Sequence, residues 1–238
     1  MNTRLLCALV LLPCMGQAQV LDADPWTFKL TPSLYSNRDA PQATDLNLRG
    51  NLGPHALWIG QYRQPGFGEQ IRTGYEYTAS PDWGQLVTSL QAAEGGFAGA
   101  SLTAQIGHTV YGIAGWGRTN LRPYYNLNFD PNDALTLGVG GWWGRQHQIS
   151  LYRIQDDRLH TGQRVTHLVW RYHPDDAHRL TLDLADKRGR AEADGPWLRG
   201  SSVSLGWDWQ RWFVHAALDH KVNFSNDTQK RLSLGWRF

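Results

Sequence analysis

Two places in the sequence combine a serine with a nearby histidine, the residue types that nucleophilic hydrolysis needs. They are His147 with Ser150, and His220 with Ser225 in segment 223–227. A serine nucleophile requires a histidine within hydrogen-bond reach and a third group that orients this base. A three-residue separation on a strand places His147 and Ser150 on opposite faces, and segment 223–227 is rich in turn formers. The sequence therefore favours ordinary strand and loop residues here over a lipid or lipid A hydrolase, which stays as the second alternative function.

Two further groups contain metal-ligating side chains. His173, Asp175 and His178 fall in an expected turn, where solvated side chains are the simpler interpretation. Four oxygen-bearing side chains have a spacing that could hold Ca²⁺ in a loop: Asn126, Asn128, Asp130 and Asp133. The turn-forming role of Asn and Asp accounts for them without an ion. We therefore predict no metal and no cofactor.

The most informative chemical groups are charged residues on alternate positions of extended segments. Cations predominate among them. Such a set either pairs into a network that fills a closed barrel or lines a water-filled path that favours anionic or saccharide-like solutes. We predict that the following residues line a lumen: Lys29, Arg49, Arg63, Arg72, Glu76, Arg171, Arg179, Asp183, Asp208, His215 and Asp219, with Arg231 and Arg237 on the same face.

The elements that must position these residues are short runs with a two-residue apolar period, separated by Gly, Pro, Asn and Asp. In the last run, Leu232, Leu234, Trp236 and Phe238 share one face, and Arg231 and Arg237 lie on the other. This pattern predicts antiparallel strands. We place them at 26–35, 44–52, 56–64, 69–79, 83–93, 96–107, 109–117, 134–143, 145–155, 163–173, 179–187, 199–209, 211–220 and 228–238.

A soluble all-β protein with one solvated face would also show this alternation. Loop lengths argue against it, because the connections at one end of the predicted barrel are short and most of those at the other end are longer, as in outer-membrane barrels. The longest connections are 118–133 and 188–198, and residues 122–130 are assigned to a loop rather than a strand. The fold class is therefore all-β, a single antiparallel up-and-down transmembrane barrel of about fourteen strands, with twelve or sixteen as alternatives.

Aromatic residues should gather where strands cross the membrane surfaces. One girdle is expected at the ends near the chain termini, formed by Trp26, Tyr77, Trp83, Trp142, Trp143, Tyr172, Trp209, Trp212, Trp236 and Phe238. Tyr35, Tyr62, Phe97 and Trp116 are expected toward the other surface.

The amino terminus has the layout of a secretory signal peptide. Arg4 precedes an apolar stretch from Leu5 to Pro13, followed by the small-residue site Gly16-Gln17-Ala18. We predict cleavage after Ala18, leaving residues 19–238 as the barrel. Both cysteines, Cys7 and Cys14, fall in the removed segment, which excludes cysteine chemistry from the mature chain. The formal net charge of +2 gives no reason to expect a nucleic-acid partner.

The carboxy-terminal pattern, a final Phe preceded by apolar residues at every second position, resembles the sorting signal that the Gram-negative outer-membrane assembly machinery recognises. The second half also resembles the YaiO-like group of outer-membrane barrels, in three segments: Trp142-Trp143-Gly144-Arg145-Gln146-His147, Ile149-Ser150-Leu151-Tyr152-Arg153 and Arg171-Tyr172-His173-Pro174-Asp175-Asp176. This resemblance implies a barrel without a known reaction, and no functional residue is carried over from it.

The sequence thus predicts a bacterial outer-membrane barrel that serves as a pore or export-linked channel with a cationic lumen. Its expected partners are outer-membrane lipids and lipopolysaccharide, the assembly machinery through the last strand, and a polysaccharide or small solute. The alternative is a plugged structural barrel whose loops 118–133 and 188–198 make surface contacts.

Overall fold

The computed structural model describes residues 25–37, 40–125 and 130–238; the predicted signal peptide, 1–18, lies outside them. Within these ranges the chain forms fourteen strands and one short 3₁₀ helix, Val222–Phe224. The strands are β1 Thr27–Asn37, β2 Ala43–Leu52, β3 His55–Gln64, β4 Gly68–Ala79, β5 Gly84–Ala93, β6 Phe97–Gly107, β7 Val110–Thr119, β8 Ala134–Trp143, β9 His147–Asp156, β10 Arg164–Tyr172, β11 His178–Gly189, β12 Leu198–Trp209, β13 Trp212–His220 and β14 Thr228–Arg237.

Each strand pairs antiparallel with its neighbours in the chain, and β1 pairs with β14 to close the barrel. The predicted fold class and strand number are confirmed. Residues 121–125 form no strand, in agreement with their assignment to a loop, while 126–129 lie outside the described residues. In the part of the chain that the structure describes, no helix has the length and apolarity needed to cross a membrane.

The distribution of polar and apolar side chains is inverted relative to a soluble protein. Leu137 is 68% exposed on the outer face, whereas Lys187 is 3% exposed and Asp219 6% exposed on the inner face. Alternation puts these two classes on opposite faces of each strand. Leucine and other large apolar side chains cover the outside of the barrel, as an apolar solvent requires.

Connections differ in length between the two ends of the barrel. The end that carries both barrel termini has the short connections, and we call it the turn end; we call the other, with connections such as 120–133, 157–163 and 190–197, the loop end. At the turn end, outward aromatic rings stack from strand to strand. Trp212 contacts Trp236 at a centroid distance of 6.0 Å, and Trp236 contacts Phe238 at 4.7 Å. Phe238 therefore belongs to the girdle, and its role in assembly stays a prediction.

Three aromatic residues expected at the loop-end surface instead point into the barrel. Tyr35, Tyr62 and Phe97 are 3 to 6% exposed, and only Trp116 of that set faces outward. Strand parity is the reason: Tyr62 shares its face with Gln64 and not with Ile59. By the same parity Trp142, paired with Gln148, lies on the inner side of the turn end. The inward aromatic residues help to hold a loop inside the barrel, as described next.

Candidate functional site: the lumen

The predicted lumen residues lie, with one exception, on the inner face. The exception is Arg63, which alternates with Leu57 and Ile59 on β3 and faces outward. The prediction for Arg63 rested on its charge, which suits an inward position. The two-residue period of the strand instead places its side chain on the outer face. The others share inward parity: Lys29, Arg49, Arg72, Glu76, Arg171, Arg179, Asp183, Asp208, His215 and Asp219.

The described parts of the connection between β7 and β8, residues 120–125 and 130–133, lie inside the barrel at the loop end. The root of this connection is fixed by Asp133, which is 4% exposed. The Asp133 carboxylate accepts hydrogen bonds from the backbone N–H of Thr119 at 3.1 Å, from the Thr119 hydroxyl at 2.6 Å, and from Arg158 at 2.8 Å. A buried carboxylate with three donors is well compensated. The root of the loop is therefore rigidly attached to the wall.

Residues 123–125 of this connection, which we call the first loop segment, bind to β4. Gln70 donates to the carbonyl of Pro123 at 3.1 Å and accepts from the backbone N–H of Tyr125 at 3.0 Å. Arg72 donates to the Tyr125 carbonyl at 3.3 Å and forms an ion pair with Asp45. These contacts satisfy the backbone polar groups of the loop inside the barrel, which would otherwise lose free energy on burial.

Aromatic rings pack around the first loop segment. Tyr125 packs against Tyr62 at a centroid distance of 5.2 Å and against Phe67 at 5.4 Å, while Tyr124 stacks on Phe97 at 4.2 Å. Burial raises the pKa of the Tyr124 phenol, so the ring stays neutral. Both hydrogen bonds and apolar contacts thus hold the first loop segment in place.

Asp130, in the last part of the same connection, contacts β10. Nε2 of His167 lies 3.1 Å from Oδ1 of Asp130, and Nδ1 lies 3.0 Å from Oδ1 of Asp183. Tyr152 stacks on the imidazole ring at 4.8 Å. β4 and β10 are six strands apart in a closed ring of fourteen, so they lie on nearly opposite walls. Residues 123–125 and Asp130 therefore contact nearly opposite sides of the lumen and narrow it.

The ion pairs of the barrel itself follow the wall instead of crossing the lumen. Arg49 on β2 binds Glu76 on β4 at 2.6 Å. The remaining pairs between inward residues also join strands that are neighbours or one strand apart: Arg72 with Asp45, Arg179 with Asp208, Lys187 with Asp219, and Arg237 with Asp208. Among the described residues, no strand-to-strand ion pair spans the lumen.

The turn end carries an excess of positive charge. In the strand register Lys29 on β1 lies directly opposite Arg237 on β14 and Arg49 on β2, which places three cations side by side. We call these three residues the cationic row. The Phe213 ring packs beside it, with the Lys29 ammonium 5.3 Å from the ring centroid and the Arg237 guanidinium 4.9 Å from it.

Other groups at this end add to the positive character. Arg171 and Arg179 also point inward here, and they lower the pKa of His173, which burial lowers first. A neutral His173 packed against Trp142 neither adds nor removes charge. Asp208 and Glu76 are the carboxylates that offset part of the excess. Among the described inward residues of the turn-end half, cations therefore outnumber carboxylates, whereas the loop-end half holds paired charges.

The groups considered for hydrolysis are not assembled. His147 points outward and accepts a hydrogen bond from Trp170 at 3.2 Å, while Ser150 is buried on the inner face. The His220 ring bonds the Thr228 hydroxyl at 2.8 Å, and Ser225 accepts from the backbone of Asp227.

The candidate metal ligands also have other partners. Asp175 accepts from the backbone of Ala177 and binds His178 at 2.8 Å, and this His178 bond lowers the pKa of Asp175. Asp130 and Asp133 are held by His167 and Arg158, and Asn126 and Asn128 lie outside the described residues. Within the described ranges no cluster of His, Cys, Asp and Glu has the geometry of a metal site.

The inward residues missed from the sequence include Asp45, Gln70, His167 and Lys187. Lys187 and His167 have the parity of Asp183 and Arg171, so a strict two-residue count along β10 and β11 would have found them. Gln70 shares the inward parity of Arg72 and Glu76 on β4, but nothing in the sequence indicates that it binds a loop more than fifty residues away.

No family model matches the chain, and no curated protein matches it in sequence. Solved structures match its fold. The outer membrane protein Omp33 of Acinetobacter baumannii superposes with a TM-score of 0.57 at 10% identity, over 90% of this chain and 98% of that one. The KdgM porin gives 0.49 at 10% identity over 88% and 99%, and OccK5 of Pseudomonas aeruginosa gives 0.48 at 9% over 93% and 99%. The chain thus has the fold of an outer-membrane barrel.

Proposed function

We propose that the protein is a narrow outer-membrane channel that favours small anionic or saccharide-like solutes. The cationic row carries this proposal. Like charges directly opposite each other on neighbouring strands destabilise a sheet, and Lys29 has Arg49 on one side and Arg237 on the other. Arg49 and Arg237 have carboxylate partners, Glu76 and Asp208, so folding accounts for those two cations but not for Lys29 between them. A lumen that attracts anions gains a favourable potential.

The membrane location that this function needs is supported by the outer surface. Exposed apolar side chains cover its strands, and stacked aromatic rings circle the turn end. Both features are those of lipid-facing barrels.

The width and the wall contacts agree with a passage. Eight strands leave room only for side chains and sixteen leave an aqueous channel, so fourteen lie toward the open side. Ion pairs that follow the wall do not cross the axis. Residues 123–125 and Asp130 form a constriction that limits the size of the solute.

Reversal potentials test the proposal. The folded protein is inserted into a planar lipid bilayer under a KCl gradient, and we expect discrete conductance steps with selectivity for chloride. Lys29→Glu should shift the reversal potential toward cations because it inverts the centre of the cationic row. Lys230→Glu is the matched control, since Lys230 lies on the outer face of β14, and it should leave selectivity unchanged.

A plugged barrel is the second candidate, and one observation favours it: Tyr125 and Asp130, in the same connection, contact nearly opposite walls. Protein that is shown to be folded by heat-modifiable gel migration and yet gives no conductance steps would reject the channel and leave the plugged barrel. Equal shifts by Lys29→Glu and Lys230→Glu would reject the role of the cationic row.

A further inference from the structure

A second row of cations lies on the outside of the barrel, near the loop end. Arg188 on β11 is directly opposite Arg164 on β10 and Arg199 on β12 in the strand register. All three share the outward parity of Leu168, Leu184 and Val203. With strands about 4.8 Å apart, the row spans about 10 Å. We call Arg164, Arg188 and Arg199 the arginine row.

The negative charge nearby is too small to neutralise this row. Asp186 binds Arg199 at 3.0 Å, but both side chains are largely exposed, at 56% and 77%. Arg153, on the neighbouring β9, adds a fourth guanidinium and donates to the Thr166 hydroxyl at 3.0 Å. Exposed pairs of this kind contribute little stability, so the arginine row remains available to a multiply charged anion.

Toward the turn end, the chemical type of the outward side chains changes from one level of the barrel to the next; we call these levels tiers. Two residues along each strand, Thr166, Asp186 and Ser201 form a hydroxyl and carboxylate tier, again in register. Two residues further, Leu168, Leu184 and Val203 form an apolar tier. Successive tiers are about 7 Å apart, given the rise of an extended strand. Leu151 and Leu218 extend the apolar tier into a groove.

An aromatic side chain borders the arginine row on the loop side. The Trp197 ring lies 5.2 Å from the guanidinium of Arg188 and 5.1 Å from that of Arg190. The ring is 54% exposed. Trp prefers the level of lipid headgroups because its body is apolar and its N–H is polar. Its position therefore marks this height of the barrel as an interface between headgroups and water.

From the loop end, the three tiers run from cationic groups through polar groups, including the Asp186 carboxylate, to hydrocarbon. A lipid with a phosphorylated sugar headgroup has the matching order of phosphate, sugar and acyl chain. We propose that the outer face of β9–β12 binds such a lipid, with its phosphates on the arginine row and its acyl chains along the groove of Leu168, Leu184 and Val203. Guanidinium groups hold phosphate through paired, charge-assisted hydrogen bonds. The arrangement requires the membrane location proposed above but no open lumen.

Other outward cations at the loop end lack this arrangement. Arg63 on β3 is opposite Glu69 on β4 and Thr44 on β2. Lys230 on β14 is opposite Leu218 and Ser36. Each is a single cation with neutral or acidic neighbours. Arg63 is therefore the matched control for a test of the arginine row.

Native mass spectrometry of the full barrel in detergent tests the proposal. The lipid is a bisphosphorylated disaccharide lipid of the lipid A type, compared with its dephosphorylated form. We expect the wild-type protein to retain the phosphorylated lipid, and Arg164→Gln/Arg188→Gln to bind it about tenfold more weakly or worse, because two charge-assisted contacts are lost. Arg63→Gln should bind it like the wild type.

Three results would overturn the proposal. The first is equal retention by the double variant and the wild type, both folded by gel migration. The second is equal binding of the dephosphorylated lipid, which would leave the arginine row without a role. The third is full displacement of the lipid by inorganic pyrophosphate or by the deacylated headgroup at equal concentration, which would show a free-phosphate site. These tests measure lipid binding and not conductance, so their outcome is independent of whether the protein is a channel.

Discussion

Nε2 of His167 on β10 lies 3.1 Å from a carboxylate oxygen of Asp130 in the inward-folded connection. The other ring nitrogen lies 3.0 Å from Asp183 on β11. A neutral imidazole has one N–H and donates one hydrogen bond, whereas an imidazolium donates two. The imidazole therefore donates to both carboxylates only while His167 is protonated. This bridge joins the loop to the wall in a pH-dependent manner.

The first prediction follows from this bridge. It holds while both carboxylates are ionised and the imidazole is charged, and it weakens as rising pH deprotonates His167. We expect hydrogen exchange of residues 120–125 to accelerate at alkaline pH beyond the intrinsic increase in exchange rate. In His167→Gln that extra acceleration should be absent, because the Gln side chain does not titrate. A wild-type protein whose loop exchange follows only the intrinsic rate would contradict the prediction.

Arg72 provides the second prediction. Its side chain is 5% exposed and binds both Asp45 and the carbonyl of Tyr125. Arg72→Ala leaves the buried Asp45 carboxylate without its partner, which costs roughly 3–5 kcal/mol of unfolding free energy. The double variant Arg72→Leu/Asp45→Leu removes both charges and should recover most of the loss. Urea unfolding from lipid vesicles measures both, and a double variant no more stable than Arg72→Ala would refute the argument.

A close approach between Gly235 and Phe213 gives the third prediction. A Cβ at position 235 would lie within 1.8 Å of the Phe213 ring, which therefore rests directly on the backbone of β14. Gly235→Ala must displace the ring from its place beside Lys29 and Arg237. We expect a loss of about 1–3 kcal/mol, typical of overpacking. Unfolding measurements should show that the additional Phe213→Ala change removes this penalty, since no ring then remains to clash; strictly additive losses would be inconsistent with the contact.

The barrel could be predicted from the sequence because each strand repeats the same two-residue pattern, and the pattern is local. Leu232, Leu234 and Trp236 point outward on β14 for the same reason that Leu205 and Trp207 do on β12. Parity also placed most of the charged lumen residues. Arg63 was misplaced because its charge was given more weight than its parity.

The interior of the loop end could not be predicted in this way. Tyr125 contacts Gln70 and Arg72, more than fifty residues earlier in the chain, and Asp130 contacts His167. These contacts depend on the closed shape of the barrel, which brings β4 and β10 to opposite sides of one narrow space. No spacing along the sequence encodes that distance. The same is true of the arginine row, whose members belong to three different strands.

The last prediction concerns the cost of the cationic row. Lys29 lies between Arg49 and Arg237 and forms no ion pair with a carboxylate of the described residues, so removing its charge relieves repulsion across two strand pairs. Lys29→Gln should therefore raise the unfolding free energy at low salt by about 0.2–1 kcal/mol. The gain should shrink as salt rises, because the repulsion is screened in the wet lumen. Lys230→Gln, on the outer face, should show no comparable gain. If Lys29→Gln instead lowers stability at every salt concentration, Lys29 is a structural residue and the argument for an anion-attracting row fails, because the arrangement would then need no solute to explain it.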